Sequence, residues 1–225
     1  ASNVTVTLGD VWTIGNLAFD DKAGSKHTWS VTANAANPLT LNAGSASPNI
    51  TASAPAILDV SLAGANGFTK TGTNSLTLLG AAAFTAGQIY VNSGSLAFAG
   101  DGSYSGNNNF NVSNGVVNIN TTSALAIANY LELGGLYNDA ADAGAGVVNQ
   151  TSGTANIGGS GTYLEIGVGA NAFGAYNLFG GALNTLNSSG IRVGASGIGL
   201  FNQSGGSLNC ARYFAVGSAT AGGSA

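Results

Sequence analysis

A short motif returns four times in the second half of the chain and limits what it can fold into. It reads YLELG at residues 130–134, YLEIG at 163–167, GIRVG at 190–194 and YFAVG at 213–217. A second motif precedes each copy: NVSNGVVNI at 111–119, NQTSGTANI at 149–157, NLFGGALNT at 177–185 and NQSGGSLNC at 202–210. In each of these Asn opens the segment, Gly holds the fifth place and Asn recurs at the eighth. The opening asparagines stand 38, 28 and 25 residues apart. The motifs persist while the connections between them change length, as in solenoids, where insertions are confined to loops.

Apolar and polar residues alternate with period two over four to six positions between Gly, Asn and Ser, which predicts strands and excludes helical repeats. Strands in corresponding places of successive coils then stack in parallel at about 4.8 Å. The expected fold is an all-β, right-handed, single-stranded parallel β-helix of roughly nine coils, about 40 Å long. The hand follows the general preference for right-handed crossovers.

Stacking sets like on like. One ladder is expected from Asn111, Asn149, Asn177 and Asn202, and another from Asn118, Asn156, Asn184 and Asn209, with amides bonded along the axis. The alternative is that these asparagines only mark turns. Gly115, Gly153, Gly181 and Gly206 fit a bend that needs positive φ.

Composition removes several functional classes. Charged residues make up 6% of the chain, with nine acidic and five basic side chains. That is too sparse for the basic stripe that tracks phosphates, so no nucleic-acid partner is expected. No apolar run reaches the roughly 18 residues of a membrane span. One cysteine, Cys210, excludes an internal disulfide, and one histidine, His27, leaves no His-rich metal cluster. No cofactor and no metal are expected. The chain starts at Ala1 and contains no methionine, a start that signal-peptide removal leaves and that trimming also leaves. An extracellular or cell-surface location is the expectation.

Residues 67–96, GFTKTGTNSLTLLGAAAFTAGQIYVNSGSL, carry Gly67, Lys70, Gly72, Leu76, Leu78 and Gly80, then Phe84, Val91, Gly94 and Leu96. This stretch resembles the autotransporter-associated β-strand repeat, a passenger-domain unit of large bacterial surface and secreted proteins. Ala82 stands where that repeat commonly has Asn. The segments at 13–21 and 38–64 are similar to coils that precede such a repeat. The resemblance implies a right-handed β-helix on an adhesin-like or structural extracellular protein, and its motif contains no catalytic residue. One domain over 1–225 is expected: irregular N-terminal coils at 1–66, the autotransporter-type repeat at 67–100 and Asn/Gly coils at 101–225. Residues 20–29 are a candidate cap for the open N-terminal end.

Chemistry has few candidates. Glu132, Glu165 and Arg192 hold the same place in three motif copies, so they are expected in one column about 4.8 Å apart. Such a column can bind a sugar acid or a cation, but the favoured reading is a solvated outward ion-pair ladder of little energetic weight. Asp139 and Asp142 lie in the longest insertion, where oxygen ligands for Ca²⁺ are conceivable but a plain surface loop is favoured. Asp20 and Asp21 are read as solvated beside Lys22 and Lys26. Cys210 takes the place of Ile119, Ile157 and Thr185, which predicts a small inward residue.

The expected function is a non-catalytic structural or adhesive module. Its partner would be a cell-surface or glycan ligand, or further copies of itself stacked end to end in a fibre. The alternatives are a polysaccharide lyase or hydrolase of the same architecture and a passive stalk for another domain.

Overall fold

The computed structural model describes residues 3–21, 27–33, 37–106, 108–136 and 143–217. Their 27 strands form three sheets of nine, and each sheet takes every third strand in chain order. The strand pairs are parallel. Each coil therefore lays one strand on each of three faces and then climbs to the next, giving a parallel β-helix of nine coils. No helix occurs among the described residues, and none is long and apolar enough to cross a membrane.

The strands of the first sheet begin at residues 3, 28, 56, 75, 95, 115, 145, 173 and 198. The contour of a coil is thus unequal, and the difference is absorbed between strands. The stretch with the autotransporter-like pattern makes one turn: Phe68–Thr71 on the third sheet, Ser75–Leu78 on the first, Ala82–Phe84 on the second and Ile89–Val91 on the third again.

Alternation along each strand sends one residue set inward. Leu76, Leu78, Phe98, Ile89, Leu133, Ile166 and Leu183 are completely or almost completely buried. Each such side chain removed from water contributes about 2 kcal/mol. Aromatic rings fill the middle of the stack, with Tyr104 set edge-on to Phe110 at 5.5 Å and Phe68 tilted against Phe84 at 5.6 Å. Gly106 is required beside this cluster, because a Cβ there would strike the Tyr104 hydroxyl.

Corners leave backbone carbonyls unpaired, and buried polar side chains receive them from inside. The Lys70 ammonium donates to the carbonyls of Gly72 and Asn74 at 2.7 Å and of Ser93 at 2.9 Å. Thr121 donates to Gly102 at 2.6 Å, and Gln150 donates to Ala182 at 3.0 Å and to Gly153 at 3.2 Å. Each of these polar groups would otherwise cost a few kcal/mol to bury.

The structure corrects the expected register of the first repeat. Asn118, not Asn111, pairs with Asn149, which pairs with Asn177 and then Asn202. Asn111 lies in Phe110–Val112 on the third sheet, beside Tyr90 and Glu132. The second ladder holds Asn156, Asn184 and Asn209, and Ala126 takes the place expected for Asn118. Likewise Ile127, not Ile119, aligns with Ile157. The physical cause is that two corners of the coil share one pattern, a strand end followed by a short Ser- or Gly-containing turn. Gly153, Gly181 and Gly206 have φ of 72°, 76° and 66°, as such a bend requires, whereas Gly115 simply opens the strand Gly115–Thr121.

Residues 20–29 connect the third strand of the first coil, Leu17–Phe19, to the first strand of the second, Thr28–Ala33. Asp21 accepts there from the His27 backbone at 2.8 Å and from the Trp29 indole at 3.2 Å, so it is engaged rather than solvated. These bonds, that from the His27 backbone foremost, hold its carboxyl below the usual range. Lys22 and Lys26 lie outside the described residues.

Candidate functional site

The YLELG-type motifs build a column on the outer side of the third sheet. Leu131 and Leu133, Leu164 and Ile166, and Ile191 and Val193 point to the core. The residue between each pair therefore faces the opposite way. Register places Thr69, Tyr90, Asn111, Glu132, Glu165, Arg192 and Ala215 in sequence along the axis. A Gly with φ of 96°, 77°, 71° or 68° closes each motif and turns the chain out of the sheet.

Glu132, Glu165 and Arg192 are thus neighbours in the expected order, but the column is not a solvated ladder. Glu132 is 3% exposed and Glu165 is fully buried. Around Glu165 the cover is a layer of aromatic and guanidinium groups that the spacing does not reveal. Tyr130, Tyr163 and Tyr213 stack at ring separations of 6.0 and 5.7 Å. The Arg192 guanidinium lies 3.6 Å from the Tyr163 ring centre, donates to Glu165 Oε1 at 2.7 Å and donates to the Tyr213 hydroxyl at 3.1 Å. Arg212 donates to the Tyr163 hydroxyl at 2.7 Å.

Electrostatics follow from this enclosure. Burial raises the Glu165 carboxyl above its ordinary value, and Arg192 offsets only part of that effect. Burial opposes the charge on Arg192, but its bonds to Tyr213 and Glu165 outweigh burial and hold it above the usual arginine value. Glu165 Oε2 is buried without a hydrogen-bond partner, as is Asn111 Oδ1. Arg192 therefore links three consecutive coils through Tyr163–Ile166, Gly190–Val193 and the residue before Phe214–Val216. A hydrolytic acid pair needs a sugar to reach both carboxylates; here both side chains are buried.

The asparagine ladders act similarly. Asn149 donates to Asn118 at 3.1 Å and Asn177 donates to Asn149 at 2.9 Å. Asn184 donates to Asn156 at 2.9 Å and Asn209 donates to Asn184 at 2.8 Å. Cys210 is half-buried, donates to the Tyr213 carbonyl at 3.2 Å and accepts from Thr185 at 3.6 Å. His27 belongs to the second coil and Cys210 to the last, so the two do not meet. Asp139 and Asp142 lie outside the described residues. No group of three or more His, Cys, Asp or Glu suited to a metal occurs among the described residues.

Sequence reading missed Lys70 as an interior group and Tyr90 as a member of the outer column. Lys70 was visible only as part of the autotransporter-like pattern, and Tyr90 precedes the stretch in which the YLELG motif can be recognised. No family model matches the chain, and neither a curated protein nor a solved structure matches it.

Proposed function

We propose that this chain is a non-catalytic structural or adhesive module of a bacterial extracellular protein, built from repeats of the autotransporter-associated kind. The observation that carries this reading is the use made of the polar groups on the flanks. The bonds from Arg192 to Glu165 and Tyr213, and the asparagine ladders, run from coil to coil. Chemistry that an enzyme would aim at a substrate is spent here on stiffening the rod. The faces left over suit attachment to a surface, a glycan or another copy of the chain. Open strand edges on the first and last described coils suit end-to-end stacking into a fibre.

The rival reading, a polysaccharide lyase or hydrolase, draws on the adjacent Glu132 and Glu165. Incubation of the purified chain with pectin, alginate and glycosaminoglycans separates the two. The module is expected to release no new reducing ends or unsaturated products, and to be retained on a polysaccharide-coated or cell-coated surface. Product release that disappears in Glu165→Gln would overturn the reading. Electron microscopy of the same sample tests the fibre: filaments of uniform width support stacking, and monodisperse short rods refute it.

A further inference from the structure

We propose that a recess on the flank of the third sheet is a binding subsite for an uncharged oligosaccharide. The inference rests on the adhesive reading and gives it a ligand class.

Thr69, Tyr90, Asn92, Ser113, Asn114 and Leu136 line a recess of about 510 Å³. That volume falls within the roughly 300–1,000 Å³ typical of small-molecule sites. Thr69 and Tyr90 are paired neighbours on adjacent strands, and Ser113 and Asn114 follow the next strand, Phe110–Val112. Leu136 follows Leu131–Leu133 one coil further on. The recess therefore runs along the axis over four coils, about 14 Å at the usual strand spacing, a shape suited to a short linear chain.

Two features point to a sugar. The first is a fixed aromatic platform. The Tyr90 hydroxyl donates to Gln88 Oε1 at 2.5 Å, and the same oxygen accepts from Asn111 Nδ2 at 3.0 Å. Burial, assisted by the nearby Glu132 charge, raises the Tyr90 phenol and keeps it a donor. Its ring is ordered before a ligand arrives, which lowers the cost of binding. The second feature is idle polarity. Elsewhere on the rod asparagines bond to one another along the axis, whereas the side chains of Thr69, Asn92, Ser113 and Asn114 have no hydrogen-bond partner among the described residues. Hydroxyls and amides around one aromatic ring complement the hydroxyls and apolar face of a pyranose. Among the described residues the lining carries no formal charge, so an acidic sugar gains no partner from them. Strands in this part of the third sheet are paired on both sides, which leaves no edge for an extended peptide to join.

The test is calorimetric titration of the intact chain with cellotriose, maltotriose and triacetylchitotriose, with trigalacturonate as the acidic comparison. At least one neutral trisaccharide is expected to saturate, and trigalacturonate to bind at least roughly tenfold more weakly. Tyr90→Ala is expected to weaken binding roughly tenfold, and Asn114→Ala to weaken it measurably. Asn114 is exposed, so its variant keeps the test valid should Tyr90→Ala fail to fold. The proposal is overturned if no neutral trisaccharide binds at millimolar concentration, or if a folded Tyr90→Ala binds as well as the parent. In the latter case the adhesive reading survives with its site elsewhere; cleavage of the trisaccharide would end the adhesive reading itself.

Discussion

Lys70 brings an ammonium into the core and delivers it to three backbone carbonyls rather than to a carboxylate. Those carbonyls favour the charged form, but burial dominates and lowers the group from 10.5 to about 8. The folded chain therefore releases this proton near pH 8 and the unfolded chain near 10.5. Between those values the unfolded state binds more protons, so this group makes stability rise with pH; below pH 8 both states are protonated and its effect is constant. Tyr104 and Tyr176, both raised by burial, act oppositely once pH passes the ordinary tyrosine range. Comparison with Lys70→Met cancels the tyrosines. Urea unfolding from pH 7 to 10 should show the parent gaining stability relative to Lys70→Met above pH 8. A difference that stays flat would contradict the assignment. Periodicity could not reveal this residue, because alternation treats lysine as an outward position and only a chain of three carbonyl acceptors makes an inward one tolerable.

Between elements, the bond from Arg192 to Glu165 has a different character from an exposed pair. Arg192→Met would leave Glu165 buried without its cation, for an expected loss of about 3 kcal/mol. The double variant Arg192→Met, Glu165→Leu removes both charges and should recover most of that loss. Chemical denaturation of the two singles and the double reads the coupling, and a loss under about 1 kcal/mol for Arg192→Met would mean that the pair behaves as though solvated. The column itself was legible in the sequence, since four motif copies end in a Gly that must leave the strand with positive φ. Its enclosure was not legible. Tyr130, Tyr163 and Tyr213 read as strand residues, and nothing in their spacing says that their rings meet beside Arg192. The asparagine register failed at Asn111 because a local pattern identifies a corner but not which corner. Only pairing across coils separates Asn111 beside Glu132 from Asn118 beside Asn149.

Across the molecule, each coil meets chiefly the coil before and the coil after it, so stability is distributed as in other solenoids. The middle coils are covered on both sides, while the described ends expose Trp12 and Val11 at one end and Ile198 and Val216 at the other. A hollow of about 220 Å³ lined by residues such as Val6, Trp12, Leu17 and Val31 opens at the N-terminal coil. Hydrogen exchange should therefore be slowest in Ser75–Leu78, Ser95–Gly100 and Gly115–Thr121 and fastest in Asn3–Leu8 and Ile198–Gln203. Uniform protection along the chain would point to ends covered in solution, by stacked copies for instance. The nine-coil architecture was readable from period-two alternation and Gly-marked strand ends, and unequal insertions did not obscure it, because every strand stays short, from three to seven residues, while connections vary. Fastening the corners with Lys70, Thr121 and Gln150 from within has one more effect. The outer side chains at those bends are excused from maintaining the frame, so the exterior can be rewritten like tiles on a fixed lattice, and new recognition can be tried there without unpicking the weave beneath.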